Sequence, residues 1–192
     1  MQQPLSVEKT AQLVNSIVRE VTRSDGVGHC AVYAQVLSVV SAALDVETCF
    51  HPIVGSLEVF ACKPDIWFGM RSDKGFAEFI PSVGMVGEYH IWCGRDTDET
   101  VADFSLINIE KLARTAHLIE GGEFFRWSPP EPTPEYIYGV TGSTIPKCLR
   151  YEVNRELTYQ VAPALLSDKV AIKRILDAMK RRGIKHGKHR LP

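Results

Sequence analysis

A chain of 192 residues, of which 45% are hydrophobic and 23% charged, can bury the core of one globular domain, and this composition excludes disordered and fibrous proteins. The net charge is −1, but residues 173–190 carry eight basic side chains against one aspartate, so the carboxy-terminal tail is basic and the remaining body acidic. No signal peptide is predicted, and no apolar run approaches the roughly 18 residues that a membrane-spanning helix needs. The five cysteines are odd in number and widely spaced, which indicates reduced thiols in a cytoplasm rather than a disulfide framework.

Two helices are predicted at the start of the chain. Residues 6–23 place apolar side chains at helical spacing on one side, which predicts an amphipathic helix on the domain surface. A glycine-rich turn follows at 24–28. Residues 30–44 are apolar almost around the whole circumference, which predicts a buried helix.

Cys30 stands at the first turn of this buried helix. Free amides and the helix macrodipole at such a position favour a thiolate, and the same amides can hold an oxyanion. The alternative is that Cys30 is a small buried apolar residue, as most cysteines in cytoplasmic proteins are.

Short strands are predicted next. Residues 46–60 are rich in β-branched and aromatic side chains and are interrupted by Pro52 and Gly55, which predicts two strands joined by a turn. A further strand is predicted at 76–80. Residues 87–94 and 100–106 form a predicted hairpin across the polar stretch 95–99. Helical spacing returns at 107–117.

The hairpin carries a histidine and an aspartate. If its turn is centred between Asp96 and Thr97, His90 lies directly opposite Asp103 on one face, with β-carbons about 5 Å apart. The other face would be apolar and suited to the core. A register shift of one residue would move Asp103 to the other face, and the sequence does not fix the register.

Cys30, His90 and Asp103 together meet the requirements of cysteine nucleophilic catalysis, because an imidazole can take the thiol proton while a carboxylate orients the ring. This hypothesis predicts that the Cys30 sulfur lies within about 4 Å of one ring nitrogen of His90 and that Asp103 contacts the other. Trp92 and His29 are the predicted substrate-binding residues. Taken singly, a packed histidine or a solvated aspartate would explain each position.

The run Gly28-His29-Cys30-Ala31-Val32-Tyr33-Ala34-Gln35, with its continuation to residue 48, resembles the nucleophile helix and following strand of bacterial transglutaminase-like proteins. Residues 90–92 and 101–103 resemble the histidine and aspartate strands of that superfamily, in the same order. The resemblance covers residues 24–106. It implies an α+β fold of the papain and transglutaminase type, in which the nucleophile helix is buried against an antiparallel sheet.

The implied chemistry is a cofactor-free thiol that acts as hydrolase or transferase on an acyl group of a small molecule, peptide or protein. The arylamine N-acetyltransferases share the order of the triad and are a second, weaker resemblance. Ala31 stands where animal transglutaminases commonly have tryptophan, and Val32 stands where the acetyltransferases place glutamate. The substrate and the reaction type therefore do not carry over. A noncatalytic binding module that retains the fold is the alternative from another class.

The last third of the chain is predicted to pack on the first part as one domain. A proline-rich surface loop at 128–134 precedes a predicted strand at 147–153 and helices at 156–166 and 168–182, with Pro163 as a kink in the first helix. Residues 180–192 are predicted to form a solvated basic tail. Because this tail lacks aromatic side chains, nucleic acid is not the favoured partner.

The remaining cysteines do not predict a metal site. Cys49, His51 and Cys62 form an imaginable mixed ligand set, but the close CxxC pairs of structural zinc sites are absent, so core packing is favoured and no metal is predicted. Cys93 is predicted to point to the face opposite His90 and to be structural.

Overall fold

The computed structural model describes residues 6–26, 29–44, 50–60, 62–63, 66–68, 89–95, 98–111, 114, 126–128, 134–140 and 145–184. The predicted strand at 76–80, most of the proline-rich loop, Cys49 and the tail beyond residue 184 lie outside this part of the chain. The fold is α+β, with a curled antiparallel sheet and helices packed against it.

Helix α1 (Val7–Thr22) and helix α2 (Cys30–Ala43) confirm the first two predictions. The Ser6 hydroxyl accepts a hydrogen bond from the Lys9 amide at 3.3 Å, which satisfies one free donor at the start of α1. Helix α1 ends where Arg23 adopts a left-handed conformation with φ 54°. Helix α2 is buried along nearly its whole length, as its continuous apolar circumference requires.

In the part of the chain that the structure describes, the main sheet has six antiparallel strands: β1 (His51–Val59), β3 (Ile66–Phe68), β4 (His90–Arg95), β5 (Asp98–Asp103), β7 (Ile137–Val140) and β8 (Leu149–Val153). The sheet is built around the long strand β1, which pairs with β4 through its first half and with both β3 and β8 through its second half. Strand β5 pairs with β4 and β7. Strands β2 (Cys62–Lys63) and β6 (Arg126–Trp127) form a separate pair.

The prediction of two strands within residues 46–60 is wrong, because β1 runs unbroken through Pro52 and Gly55. Pro52 is the second residue of the strand, where the loss of one amide donor is tolerated. Gly55 allows a close approach of neighbouring chain. A β-carbon at Gly55 would lie 1.9 Å from the Glu152 carbonyl oxygen and 2.8 Å from the Trp92 ring.

Two further helices follow β8, as predicted: α3 (Arg155–Ser167), which contains Pro163, and α4 (Lys169–Arg181). Asn154 caps α3 by accepting a hydrogen bond from the Leu157 amide at 3.0 Å. Helix α3 packs on β1, and α1 and α4 pack on α2. The last third of the chain is therefore joined to the first by strand pairing and by helix packing.

Apolar side chains cover both faces of the sheet. One cluster joins the helices to one face and includes Val36, Val40, Ile91 and Phe104. A second cluster covers the opposite face and includes Leu57, Val59, Trp92, Val101, Leu106, Ile137 and Leu149. The face of the hairpin that bears His90 is thus enclosed by apolar side chains.

The predicted solvated tail begins too early at residue 180. Arg181 and Arg182 both form ion pairs with Glu20 of α1, and Ile184 packs against the core. Docking of the chain on α1 therefore extends at least to residue 184. Within the described ranges, no helix is both long and apolar enough to cross a membrane.

Candidate active site

The β4–β5 hairpin turns where the sequence predicts, but its register differs. Arg95 pairs with Asp98 next to the turn, which agrees with a turn centred between residues 96 and 97. The next pair is Cys93 with Ala102, so one residue of β4 lies opposite three of β5 and the register shifts by two. Continuing this register places Asp103 opposite Trp92 rather than His90.

This shift corrects the predicted direct pairing of His90 with Asp103, yet it leaves both residues on one face. Because successive side chains of a strand point to opposite faces, a shift of two residues keeps Asp103 on the same face as His90. The two residues become diagonal neighbours instead of lying directly opposite each other. The two side chains still meet: His90 Nε2 lies 2.6 Å from Asp103 Oδ2. Both are almost fully buried, with 2% and 1% of their surfaces exposed.

Cys30 reaches the same histidine from the start of α2. Cys30 lies near enough to His90 to raise the pKa of the imidazole, as a hydrogen-bond partner and by its charge. Because Nε2 faces Asp103, Nδ1 is the ring nitrogen left for the sulfur. Cys30 is partly exposed, in contrast to the buried imidazole and carboxylate. The structure therefore brings together the three residues predicted for the triad, of which Cys30 is the most exposed.

Electrostatics favour a charged imidazole in this arrangement. Burial would lower the pKa of His90, but the negative charge and hydrogen bond of Asp103, with the hydrogen bond and charge of Cys30, outweigh burial and raise that pKa to about 10. Burial would likewise raise the pKa of Asp103, but His90 and Ser105 hold it below its usual value. An imidazolium between two acidic groups is the state that these contacts stabilise.

Asp103 has two further partners that the sequence analysis did not assign to the site. The Ser105 amide and hydroxyl donate to Asp103 Oδ1 at 2.9 Å and 2.7 Å. The Tyr151 hydroxyl donates to Oδ2 at 2.8 Å. Ser105 is recognisable from sequence as the residue two positions after an aspartate, whose side chain commonly accepts from that amide at the end of a strand. No local sequence signal connects Tyr151, on β8, with the hairpin.

Trp92 lies beside the triad, as predicted, but it faces other side chains. Its ring stacks on His90 with a centroid distance of 6.0 Å and meets Tyr151 edge to face at 5.0 Å. Only 2% of its surface is exposed. Trp92 therefore packs the imidazole in place, and its contact with substrate stays a prediction.

His29, the other predicted substrate-binding residue, is the residue before α2. Its backbone carbonyl accepts the Tyr33 amide at 3.0 Å, but its side chain makes no capping hydrogen bond to the helix. The first-turn amides of an α-helix have no partner within the helix. The start of α2 thus presents backbone donors next to the Cys30 thiol.

The other described thiols are enclosed. Cys93 points away from His90 into the helix-side core, where its sulfur lies 3.2 Å from the Ala34 carbonyl oxygen, and burial raises the pKa of Cys93 to about 12. Cys148 is 1% exposed. Among the described residues no group of His, Cys, Asp and Glu is placed to hold a metal ion. Cys49 and the side chain of Cys62 lie outside that part of the chain.

Comparison with known proteins gives the fold alone. No protein-family model matches the chain, and no curated protein is significantly similar to it. A solved crystal structure described only as a genomics target shares 10% sequence identity, with a TM-score of 0.51, over 97% of this chain and 82% of its own. At that identity the similarity extends to the arrangement of helices and strands and to nothing more specific.

Proposed function

We propose that this chain is a cysteine-dependent acyl hydrolase or acyl transferase with a fold of the papain and transglutaminase-like type. The observation that carries the proposal is the continuous set of side-chain contacts from a partly exposed thiol, Cys30, through a buried imidazole, His90, to a buried carboxylate, Asp103. Cysteine nucleophiles require this order of groups. The position of the thiol at the start of a buried helix adds to the support.

The proposed reaction starts from an ion pair, in which the Cys30 proton has already moved to His90 Nδ1 and left a thiolate beside an imidazolium. The thiolate attacks the acyl carbonyl carbon, and backbone amides at the start of α2 stabilise the negative charge that develops on the carbonyl oxygen. The imidazolium then returns its proton to the leaving group as the bond to that group breaks, which leaves an acyl thioester on Cys30. Water or a second nucleophile, deprotonated by His90, attacks the thioester and releases the product and the thiol.

Selective alkylation tests this proposal. Brief treatment with iodoacetamide near neutral pH, followed by mass mapping, should label Cys30 before the other four cysteines, because Cys30 stands beside a base at the start of a helix, whereas Cys93 and Cys148 are buried. The variant His90→Asn should slow labelling of Cys30 about tenfold or more, since it removes the base. The matched control His51→Gln, on β1, should leave the rate unchanged.

A second measurement looks for the acyl intermediate. Incubation with an activated acetyl ester should add the mass of one acetyl group to Cys30 in the wild type and not in Cys30→Ser. Faster labelling of another cysteine, or labelling that does not depend on His90, would contradict the proposed nucleophile. The protein would then be better described as a noncatalytic binding module.

A further inference from the structure

Tyr151 reaches the candidate active site from a strand that the hairpin does not contain. Strand β8 pairs with the second half of β1, with Tyr151 opposite Leu57, and this pairing carries the phenol to Asp103. The Tyr151 hydroxyl and His90 Nε2 donate to the same oxygen, Oδ2, at 2.8 Å and 2.6 Å. Ser105 occupies the other oxygen. The carboxylate is therefore held by donors on both of its oxygens.

We propose that Tyr151 is a positioning residue of the active site, whose hydroxyl keeps Asp103 ionised and aligned so that His90 retains its proton beside Cys30. This inference rests on the proposed function and extends it, because it makes β8 necessary for a triad whose members all lie on α2 and the hairpin. Neither the nucleophile nor the base touches Tyr151 through a hydrogen bond. Its effect passes through the carboxylate.

The phenol can act in this way because it remains protonated. Burial and the neighbouring charge of Asp103 raise the pKa of Tyr151 well above its ordinary value of 10. A neutral hydroxyl facing a carboxylate is a donor, and a charge-assisted hydrogen bond is about twice as strong as one between neutral groups. A buried carboxylate without such donors would be more basic and would compete with the imidazole for the proton.

Packing fixes the phenol in this position. Trp92 meets the Tyr151 ring edge to face at 5.0 Å, and Trp92 in turn stacks on His90. Gly55 allows the backbone of β8 at Glu152 to approach β1, since a β-carbon there would overlap the Glu152 carbonyl oxygen at 1.9 Å. The ring of Tyr151 is thus held from one side by the indole and along the strand by the sheet.

The test compares Tyr151→Phe with Tyr33→Phe. Both variants retain the ring and lose one hydrogen-bonded hydroxyl, but the Tyr33 hydroxyl donates to the neutral side-chain oxygen of Asn15, at 2.8 Å, and not to a carboxylate. In urea unfolding from pH 3 to pH 8, Tyr151→Phe should move the acid-side loss of stability to higher pH by about one unit, because Asp103 loses a donor to its charged form. Tyr33→Phe should lose stability without that shift.

Reactivity gives the second readout. At neutral pH the rate of Cys30 alkylation by iodoacetamide should fall about tenfold in Tyr151→Phe, since a hydrogen bond to a charged group typically changes an equilibrium by a factor of ten or more. In Tyr33→Phe the rate should stay within about twofold of wild type. If Tyr151→Phe does not fold, a fluorotyrosine placed at position 151 keeps nearly the same size and is a stronger donor. It should move the acid-side loss of stability to lower pH.

These outcomes separate the inference from the proposed function. If Cys30 reacts rapidly and depends on His90, but Tyr151→Phe and Tyr33→Phe have the same pH profile and the same reactivity, the positioning role is overturned and the proposed function stands. If Cys30 is unreactive in the wild type, the proposed function itself fails. The inference is supported if the acid-side loss of stability moves to higher pH in Tyr151→Phe and does not move in Tyr33→Phe.

Discussion

Replacing His90 with glutamine removes an imidazole whose pKa the fold raises from 6.5 to about 10. A group with a raised pKa in the folded state stabilises the fold fully below its unfolded pKa, and this stabilisation is lost as pH rises through the folded pKa. The free energy difference between wild type and His90→Gln should therefore be largest between the ordinary pKa values of Asp103 and His90, 3.8 and 6.5, and shrink toward pH 10. At 1.36 kcal/mol per pH unit, the decrease is at most about 5 kcal/mol, and about 3 kcal/mol between pH 7 and pH 9.

Urea unfolding of both proteins under reducing conditions, at steps of half a pH unit, measures this difference. Subtracting the unfolding free energies of the two proteins removes most of the effect of other groups that destabilise the protein in alkali. Tyr33 and Cys93 are two such groups, because burial raises their pKa values to about 12. Ser41→Ala is a suitable control, because it removes a buried hydrogen bond of 3.0 Å without removing a titrating group, and its difference from wild type should not change with pH. Parallel curves for wild type and His90→Gln would mean that His90 is neutral in the fold, and would refute the thiolate–imidazolium pair.

Gly55→Ala should destabilise the protein by about 3 kcal/mol or more, because the new β-carbon would lie 1.9 Å from a backbone oxygen. Gly94→Ala should destabilise the protein less, because the nearest atom to its new β-carbon, at 2.1 Å, is the flexible end of a side chain. Equal losses in thermal unfolding would contradict this account of the strand contact. Truncation after Ile184 should leave the melting temperature within about 2 °C of wild type. Truncation after Met179 should lower the melting temperature by about 3–8 °C, because it removes the ion pairs with Glu20 and the apolar contact of Ile184 with the core. A melting temperature that is the same for both truncations would show that residues 180–184 do not stabilise the fold.

The helices could be predicted from sequence because their signals are local. A buried helix and an amphipathic helix differ in how far apolar residues extend around the axis, and this difference is readable within one segment for α1 and α2. Secondary structure near Pro52 and Gly55 could not be predicted in the same way. Their compatibility with a long strand depends on β4 and β8, which pair with β1 from distant parts of the sequence.

The candidate site likewise combines features that could be predicted from sequence with features that depend on distant strands. The identity and order of Cys30, His90 and Asp103 could be predicted, and the shared face of the last two survives a register error because the shift is even. The shift itself, between Cys93 and Arg95, could not be predicted, since a bulge that shifts the register by two leaves the alternation of side chains in the sequence unchanged. Tyr151 could not be predicted either, because only the pairing of β8 with β1 brings it to Asp103.

The burial of the histidine and carboxylate bears on how the proposed acyl substrate would approach. Buried ion pairs are costly to desolvate and contribute little net stability compared with apolar packing, so this polar group between two apolar clusters is not explained by stability alone. His90 and Asp103 are 2% and 1% exposed, while Cys30 is partly exposed, so an acyl group can meet the sulfur without displacing the imidazole. In the proposed reaction, the proton for the leaving group comes from Nδ1, on the side of the ring that faces Cys30. We expect the leaving group to bind on that side and not beside Trp92, because the indole packs against both His90 and Tyr151.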